Sequence, residues 1–201
     1  MTQSSATIVF STYNRADLLR KAIHAAKQQS VPIDIIVMDD ASTDETPDMM
    51  THEFPEIQYH RSTHNKGPCY QRNQGIKFAK TEIVFPLDDD SILNSPFTIE
   101  QTLKEFSDDR IGAIAIPFIN ILQDSIVWTQ SPDPNDIYLT HAFVAAAHAV
   151  RKEAFLEVGG YRDFFFYMGE EGDLSIRLLQ HGYCVRLGHA DPIHHYQPPN
   201  R

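Results

Sequence analysis

Apolar residues fall in two kinds of run along this chain, and the alternation between them carries the first expectation. Short runs dense in β-branched and aromatic residues read as buried strands: Ala6-Thr7-Ile8-Val9-Phe10, then Asp34 to Met38, a weaker run from Ile57 to Arg61, Ile83-Val84-Phe85-Pro86-Leu87, and Ile111 to Pro117. Between them apolar residues recur at helical spacing. Leu18, Leu19, Ala22, Ile23 and Ala26 share one face, a helix opens at Asn65-Lys66-Gly67-Pro68 and runs through Ile76 and Phe78, and another spans Pro96 to Phe106. Asn14 is the expected N-cap of the first helix, with Asp17 in its first turn. Ser42 with Glu45 has the spacing of a capping box opening a short helix that ends near Phe54-Pro55. Strand alternating with helix predicts an α/β sandwich with a mostly parallel central sheet.

Beyond Pro117 the rhythm loosens. The pattern predicts a strand over Ser125 to Gln130, a loop from Ser131 to Asp136, and an alanine-rich apolar stretch from Phe143 to Val150 that contains His148. A helix from Lys152 to Val158 is stopped by Gly159-Gly160, and the aromatic run Phe164-Phe165-Phe166-Tyr167 leads to Gly169-Glu170-Glu171-Gly172-Asp173. A helix follows with Leu174, Leu178 and Leu179 inward, then a strand from Cys184 to Leu187 and the pair His194-His195. No linker divides the chain, so a single domain over 1–201 is expected.

In parallel sheets ligands bind beyond the carboxyl ends of the strands. Three of those ends carry Tyr13-Asn14, Asp39-Asp40 and Asp88-Asp89-Asp90. Three adjacent carboxylates at the mouth of a core strand repel one another and are costly to bury without a counter-cation. Hard oxygen ligands suit Mg²⁺ or Mn²⁺, which take one or two carboxylates and leave positions for phosphate oxygens. The plain alternative is an acidic turn facing water. With 201 residues and a net charge of -10, the chain is large enough for a real core and argues against a nucleic-acid partner. The same charge means that a diphosphate needs a metal or clustered donors to bind here.

Tyr13 suits stacking on a planar ring or half-burial in the fold. Asp39 and Asp40 suit accepting from a base or ribose, or from backbone donors. Asn65, Lys66, Gly67 and Arg72 supply donors near the ligand unless the two cations stay solvated. Glu170 and Glu171 sit where the helix macrodipole favours acids; the functional alternative is that one of them takes a proton from a hydroxyl across the cleft. In an extended segment His194 and His195 point to opposite sides, so that one reaches the metal while the other packs. His148 reads as a satisfied core residue. Cys69 and Cys184 lack metal-ligand spacing and read as reduced thiols. With neither a signal peptide nor a membrane-spanning run in view, the expected location is cytoplasmic, the inner face of a membrane being the other place considered.

The ordered set Ile8-Val9-Phe10-Ser11-Thr12-Tyr13-Asn14-Arg15, Val37-Met38-Asp39-Asp40-Ala41-Ser42-Thr43-Asp44, Asn65-Lys66-Gly67 with Arg72-Asn73-Gln74-Gly75, Leu87-Asp88-Asp89-Asp90, and Gly159-Gly160-Tyr161 followed by Gly169-Glu170-Glu171-Gly172-Asp173-Leu174 with Arg177 resembles family 2 glycosyltransferases. The resemblance covers nearly the whole chain. It implies a GT-A (Rossmann-like) α/β/α sandwich, with a nucleotide-sugar donor half over 1–91 and an acceptor half over 92–201. It implies a metal-dependent, inverting transfer of a sugar from a nucleotide-diphosphate donor, a UDP-sugar first, to a hydroxyl of a glycan or lipid-linked acceptor in polysaccharide or glycoconjugate synthesis. Ser11, Tyr13, Asp40, Lys66, Arg72, Asp88 and Asp89 would surround the nucleotide sugar. Asp90 would hold Mn²⁺ or Mg²⁺, with Asp88 and His194 as further candidate ligands. Glu171 would be the base, but it stands where the family usually has an aspartate, so Glu170 stays in play. Two further departures are Ser91, where many relatives have another acid, and the end of the chain at Arg201, where relatives often continue. The rival readings are a sugar-phosphate nucleotidyltransferase, for which Ser11-Thr12-Tyr13-Asn14-Arg15 is a poor phosphate loop, and a non-catalytic nucleotide-sugar or glycan-binding module.

Overall fold

A computed structural model of the chain describes residues 5–165 and 169–198. Six strands appear in the first half: β1 (Ala6–Thr12), β2 (Ile33–Asp39), β3 (Gln58–Arg61), β4 (Ile83–Asp88), the two-residue β5 (Ser91–Ile92) and β6 (Ile111–Ala115). They alternate with α1 (Ala16–Ala26), α2 (Thr46–His52), α3 (Pro68–Phe78) and α4 (Thr98–Glu105). The second half adds β7 (Phe118–Asn120), β8 (Val127–Trp128), β9 (Tyr138–Thr140), β10 (His148–Arg151), α5 (Lys152–Glu157), α6 (Glu170–Gln180), β11 (Cys184–Leu187) and β12 (Ile193–His195).

The main sheet runs in the order β3-β2-β1-β4-β10-β6-β11-β9. Its β3, β2, β1 and β4 pairings and the β6–β11 pairing are parallel, while β10 and β9 are antiparallel to their neighbours. Alternation along β1 builds both faces of the core. Ile8 and Phe10 pack with Leu19 and Ile23 of α1, Met50 of α2 and Ile99 of α4. Val9 points the other way, among Ile76 of α3, Phe155 of α5 and Leu174 and Leu178 of α6. Helix α3 lies hard against the sheet: a Cβ on Gly75 would stand 2.2 Å from Val9 Cγ1. That close approach brings the first turns of α3 under the carboxyl ends of β1 and β4. A second sheet, β5-β12-β7-β8, folds the C-terminal strand back so that His195 pairs with Ser91, beside Asp90.

Several local expectations are corrected. Neither Asn14 nor Ser42 caps its own helix. Asp44 Oδ2 instead accepts from the Ala16 N–H at the start of α1, at 3.1 Å. Asn14 sits at φ 56 and its Oδ1 accepts from the Thr43 and Asp44 amides. Ser42 Oγ accepts from the Asn14 N–H. The loops after β1 and β2 thus cap each other, which locks two strand ends into one edge. Leu179 is half exposed rather than inward, because the buried stripe of α6 runs through Leu174, Ser175 and Leu178. The strand expected over Ser125 to Gln130 shrinks to Val127–Trp128. Of the aromatic run, Phe164 is exposed and Phe165 packs on the core, while Phe166 and Tyr167 lie outside the described residues.

Candidate active site

A cavity of about 620 Å³ opens at the carboxyl ends of β1, β2 and β4, within the size range of small-molecule sites. Ser11, Thr12, Tyr13 and Arg15 form its β1 wall. Asp40 and Gly67 lie to one side, Asp88, Asp89 and Asp90 form the floor, and Ala145, Glu170, Glu171 and His195 close it from the second half of the chain. Parallel pairing fixes this edge, since register places Ser11 beside Met38 and Asp88, and Thr12 beside Asp39.

Asp40 is buried and held by three donors. The Lys66 N–H (2.8 Å) and Gln71 Nε2 (2.5 Å) share its Oδ1, and the Gly67 N–H reaches Oδ2 at 2.9 Å. A carboxylate offers about four acceptor positions, so one remains on Oδ2. Asp39 is spent on structure, accepting from the Ser42 amide and the Tyr59 hydroxyl. Tyr13 is 48% exposed and free to present its ring to the cavity. Lys66 enters only through its backbone; its ammonium lies over the Tyr70 ring and donates to the Tyr70 hydroxyl.

The three acids of the triplet have separate partners. Asp88 accepts from Arg72 Nη2 at 2.5 Å. Asp89 accepts from the Thr12 hydroxyl (2.7 Å) and Arg15 Nη1 (3.0 Å). Asp90 accepts from the same Arg15 nitrogen at 2.6 Å, and His195 Nε2 lies 3.4 Å from its Oδ1. Burial pushes the Asp89 carboxyl up to about 7, against the pull of Arg15 and with the charge of Asp90 adding to it. Burial acts to raise Asp90 too, but His195 and Arg15 outweigh it and hold the group below the ordinary carboxylate value.

His195, rather than His194, faces the triplet. In β12 the two alternate, and His194 pairs across to Ile92 and Ile119 outside the cavity lining. His195 Nδ1 donates to Asn120 Oδ1 at 2.9 Å, so Nε2 faces Asp90 as an N–H in the form that lowers the carboxyl, and presents a lone pair there once that proton gives way to a cation. Asp90 Oδ1 is buried and has no hydrogen-bond partner. A carboxylate oxygen and an imidazole lone pair facing each other form a donor set that a divalent cation satisfies. Among the described residues no cluster of three or more His, Cys, Asp or Glu side chains stands ready for a metal. The residues present therefore fit an ion held by one or two protein ligands with the rest of its coordination supplied by phosphate oxygens.

Across the cavity, α6 begins with Gly169 at φ 95, and its first turn presents Glu170 and Glu171. Arg72 Nη1 reaches Glu170 Oε1 at 3.3 Å, so one fully buried guanidinium ties the end of β4 to the start of α6. The Ala145 N–H donates to Glu171 Oε1 at 3.1 Å. Burial raises the Glu171 carboxyl above its ordinary value, the neighbouring Glu170 charge adds to this, and the Ala145 amide opposes it. Sequence reasoning gives Arg15 and Gln71 no ligand-binding role, and of the histidine pair, one of which is expected at the metal, it names His194 where the structure places His195. The one signal for Arg15 was that three buried carboxylates need more than one cation.

Solved structures share this architecture. The chain superposes over 99% of its length, with a TM-score of 0.80 and 20% identity, on the mannosyltransferase PcManGT from Pyrobaculum calidifontis in complex with GDP-Man and Mn²⁺, covering 59% of that chain. It superposes over 98% of its length on S. aureus TarS in complex with UDP-GlcNAc, with a TM-score of 0.78 and 12% identity, covering 60% of that chain. The fold is GT-A. The sequence itself matches the model for glycosyl transferase family 2 over residues 7–167, and the chain belongs to that family. Among curated relatives it is 28% identical over 196 residues to the pre-mycofactocin glycosyltransferase of Mycobacterium tuberculosis, a match spanning 90% of this chain and 40% of the relative. It is 35% identical over 86 residues to the succinoglycan biosynthesis protein ExoO of Rhizobium meliloti, spanning 42% of this chain and 25% of that protein. The chain thus corresponds to less than half the length of these relatives.

Proposed function

We propose that this chain transfers a glycosyl group from a nucleoside-diphosphate sugar to an acceptor hydroxyl with inversion at the anomeric carbon. The observation that carries the reading is that the acidic strand end and the acidic first turn of α6 line one cavity from opposite halves of the chain. Tyr13 stacks on the base and Asp40 accepts a ring N–H. Asp89, tied to Thr12 and Arg15, faces the ribose, while Ser11 and Arg72 line the donor side.

Asp90 and His195 would hold Mn²⁺ or Mg²⁺, which when bound neutralises charge developing on the leaving diphosphate. Glu171 accepts the proton of the acceptor hydroxyl. The acceptor oxygen then bonds to the anomeric carbon, the bond from that carbon to the diphosphate oxygen breaks, and its electron pair leaves with the nucleoside diphosphate. Its raised carboxyl suits Glu171 to this task, since a general base works best with a pKa near the operating pH. Glucosyl and glycan-building names among the relatives support an acceptor that is a glycan or lipid-linked glycan. No helix among the described residues is long and apolar enough to cross a membrane.

Metal dependence is tested at Asp90. Losing a hydrogen-bonding neighbour of a metal ligand already costs roughly 10–100-fold in affinity, and loss of the ligand should cost at least that. Calorimetry of UDP with Mn²⁺ is expected to show such a loss for Asp90→Asn, with little change when Mn²⁺ is omitted from both proteins. Tight, metal-independent binding by both would refute the metal role. The base preference is tested by competition. Uracil presents one ring N–H, matching the single acceptor position left on Asp40, whereas guanine presents two donor groups on one edge. UDP should therefore displace a bound nucleotide at lower concentration than GDP, and the reverse order would exclude the pyrimidine reading.

A further inference from the structure

An apolar, alanine-rich run contains one polar side chain that the mechanism above does not use. His148 is wholly buried, its ring stacked on Phe143 at 4.5 Å. Burying an imidazole there costs desolvation unless both ring nitrogens are satisfied, and an apolar residue would fill the space without that cost. Both nitrogens are satisfied. Nδ1 lies 3.0 Å from the Ala145 carbonyl and Nε2 lies 2.7 Å from the Tyr161 hydroxyl. A carbonyl only accepts, so Nδ1 carries the proton and Nε2 accepts from Tyr161, and a single tautomer serves both contacts. Burial and the charge of Arg72 push the His148 imidazole down to about 3, so it stays neutral through the working range and keeps that tautomer.

Each end of this arrangement is anchored. Tyr161 follows Gly160, which takes φ +69, and its backbone is clamped on both sides by Asn73 of α3. The Tyr161 N–H donates to Asn73 Oδ1 at 2.9 Å, and Asn73 Nδ2 donates to the Tyr161 carbonyl at 2.7 Å. At the other end, residues 144–147 form a tight turn closed by the Ala147 N–H on the Val144 carbonyl. Ala145 sits in that turn with its carbonyl on His148 and its N–H on Glu171 Oε1.

We propose that His148, locked by Tyr161, is a positioning residue for Glu171: it fixes the Ala145 backbone so that its amide is aimed at the carboxylate. This rests on the reading of Glu171 as the base. The device differs from a direct contact in that neither His148 nor Tyr161 touches the carboxylate. The charged and titratable groups that act on Glu171 are Glu170 on its own helix and Arg72 across from it, while Glu171 in turn acts on Cys69 of α3 and on Tyr161. Both the Cys69 thiol and the Tyr161 phenol are pushed up by burial and stay neutral, so neither supplies a compensating charge.

The sign follows from the amide. A donated N–H favours the ionised carboxylate, so losing it raises the Glu171 pKa further and protonates the base at a higher pH. The test is the ¹³C carboxyl shift of glutamate, followed by NMR through an acid titration, with the Glu171 signal assigned by its absence in Glu171→Gln. His148→Phe is expected to move the Glu171 midpoint upward by about one pH unit, the scale of one lost hydrogen bond to a charged group. His148→Gln should keep it in place, because its Nε2 can donate to the Ala145 carbonyl and its Oε1 can accept from Tyr161. Should His148→Phe fail to fold, Tyr161→Phe carries the test, with a smaller shift in the same direction. A midpoint unmoved in the folded variant overturns the proposal. A midpoint that moves as expected while Glu171→Gln retains full turnover upholds the positioning and removes the base reading instead.

Discussion

Glu171→Gln is expected to lose on the order of 10²–10⁴ in turnover while keeping its affinity for the nucleotide-sugar donor, because that range is what a positioned general base contributes. Glutamine keeps the size of the side chain and can still accept from the Ala145 amide, which now holds Glu171 Oε1 at 3.1 Å, so the turn at 144–147 should not move. What disappears is the capacity to take a proton. Glu170→Gln should behave differently. Glu170 is buried against Arg72, so its neutral replacement weakens an ion pair and lowers stability more than it slows the reaction. The measurement is nucleoside-diphosphate release at saturating donor, with donor affinity taken separately by calorimetry. A dead Glu170→Gln beside an active Glu171→Gln would mean that the base is the preceding residue. Normal turnover in both, or a product that retains the donor's anomeric configuration, would dismiss a single displacement with a carboxylate base.

The activity should also depend on pH through the same group. Burial and Glu170 raise the Glu171 carboxyl, and a base is competent only when ionised, so turnover falls as pH drops through that raised value rather than through the ordinary carboxylate range.

The strand ends were legible in sequence because buried β-branched runs and like-charged clusters are visible in one dimension. Ile83 to Leu87 had to be a core strand, and three acids at its mouth had to meet cations or water. Which cation meets which acid was not legible. Arg72 on Asp88 depends on how closely α3 approaches β1, which Gly75 permits by lying against Val9, a residue far away in the chain that no local pattern announces. His195 rather than His194 meets Asp90 because β12 enters between β5 and β7, and only that register decides which of two alternating side chains faces the cavity. Asn14 and Ser42 carried the right capping chemistry, but their partners lay on the neighbouring loop, 28 to 30 residues away in sequence. Patterns that need only periodicity were readable; those that need a tertiary partner were not.

Arg72→Met is expected to cost about 3–5 kcal/mol of stability, the range for removing one partner from a buried ion pair. The guanidinium is fully buried, and burial alone would lower its pKa, yet the Asp88 and Glu170 carboxylates raise it, so it stays charged. Methionine would fill much of the volume. It would leave Glu170, whose side chain is 6% exposed and whose Oε2 already lacks a partner, as an uncompensated charge beneath Asp88. The cost therefore comes from the stranded carboxylate more than from lost packing. A double variant separates the two. Adding Glu170→Gln to Arg72→Met removes the stranded charge, so part of the lost stability should return, and the two changes should be non-additive by an amount typical of residues in one network. Urea unfolding monitored at constant m is the measurement. A loss below about 1 kcal/mol for Arg72→Met, the scale of a surface ion pair, would mean that water reaches Glu170 and that the link between β4 and α6 is not a buried one. Strict additivity in the cycle would mean that Arg72 holds Asp88 alone, and the coupling of the donor-side strand end to the first turn of α6 would fall with it.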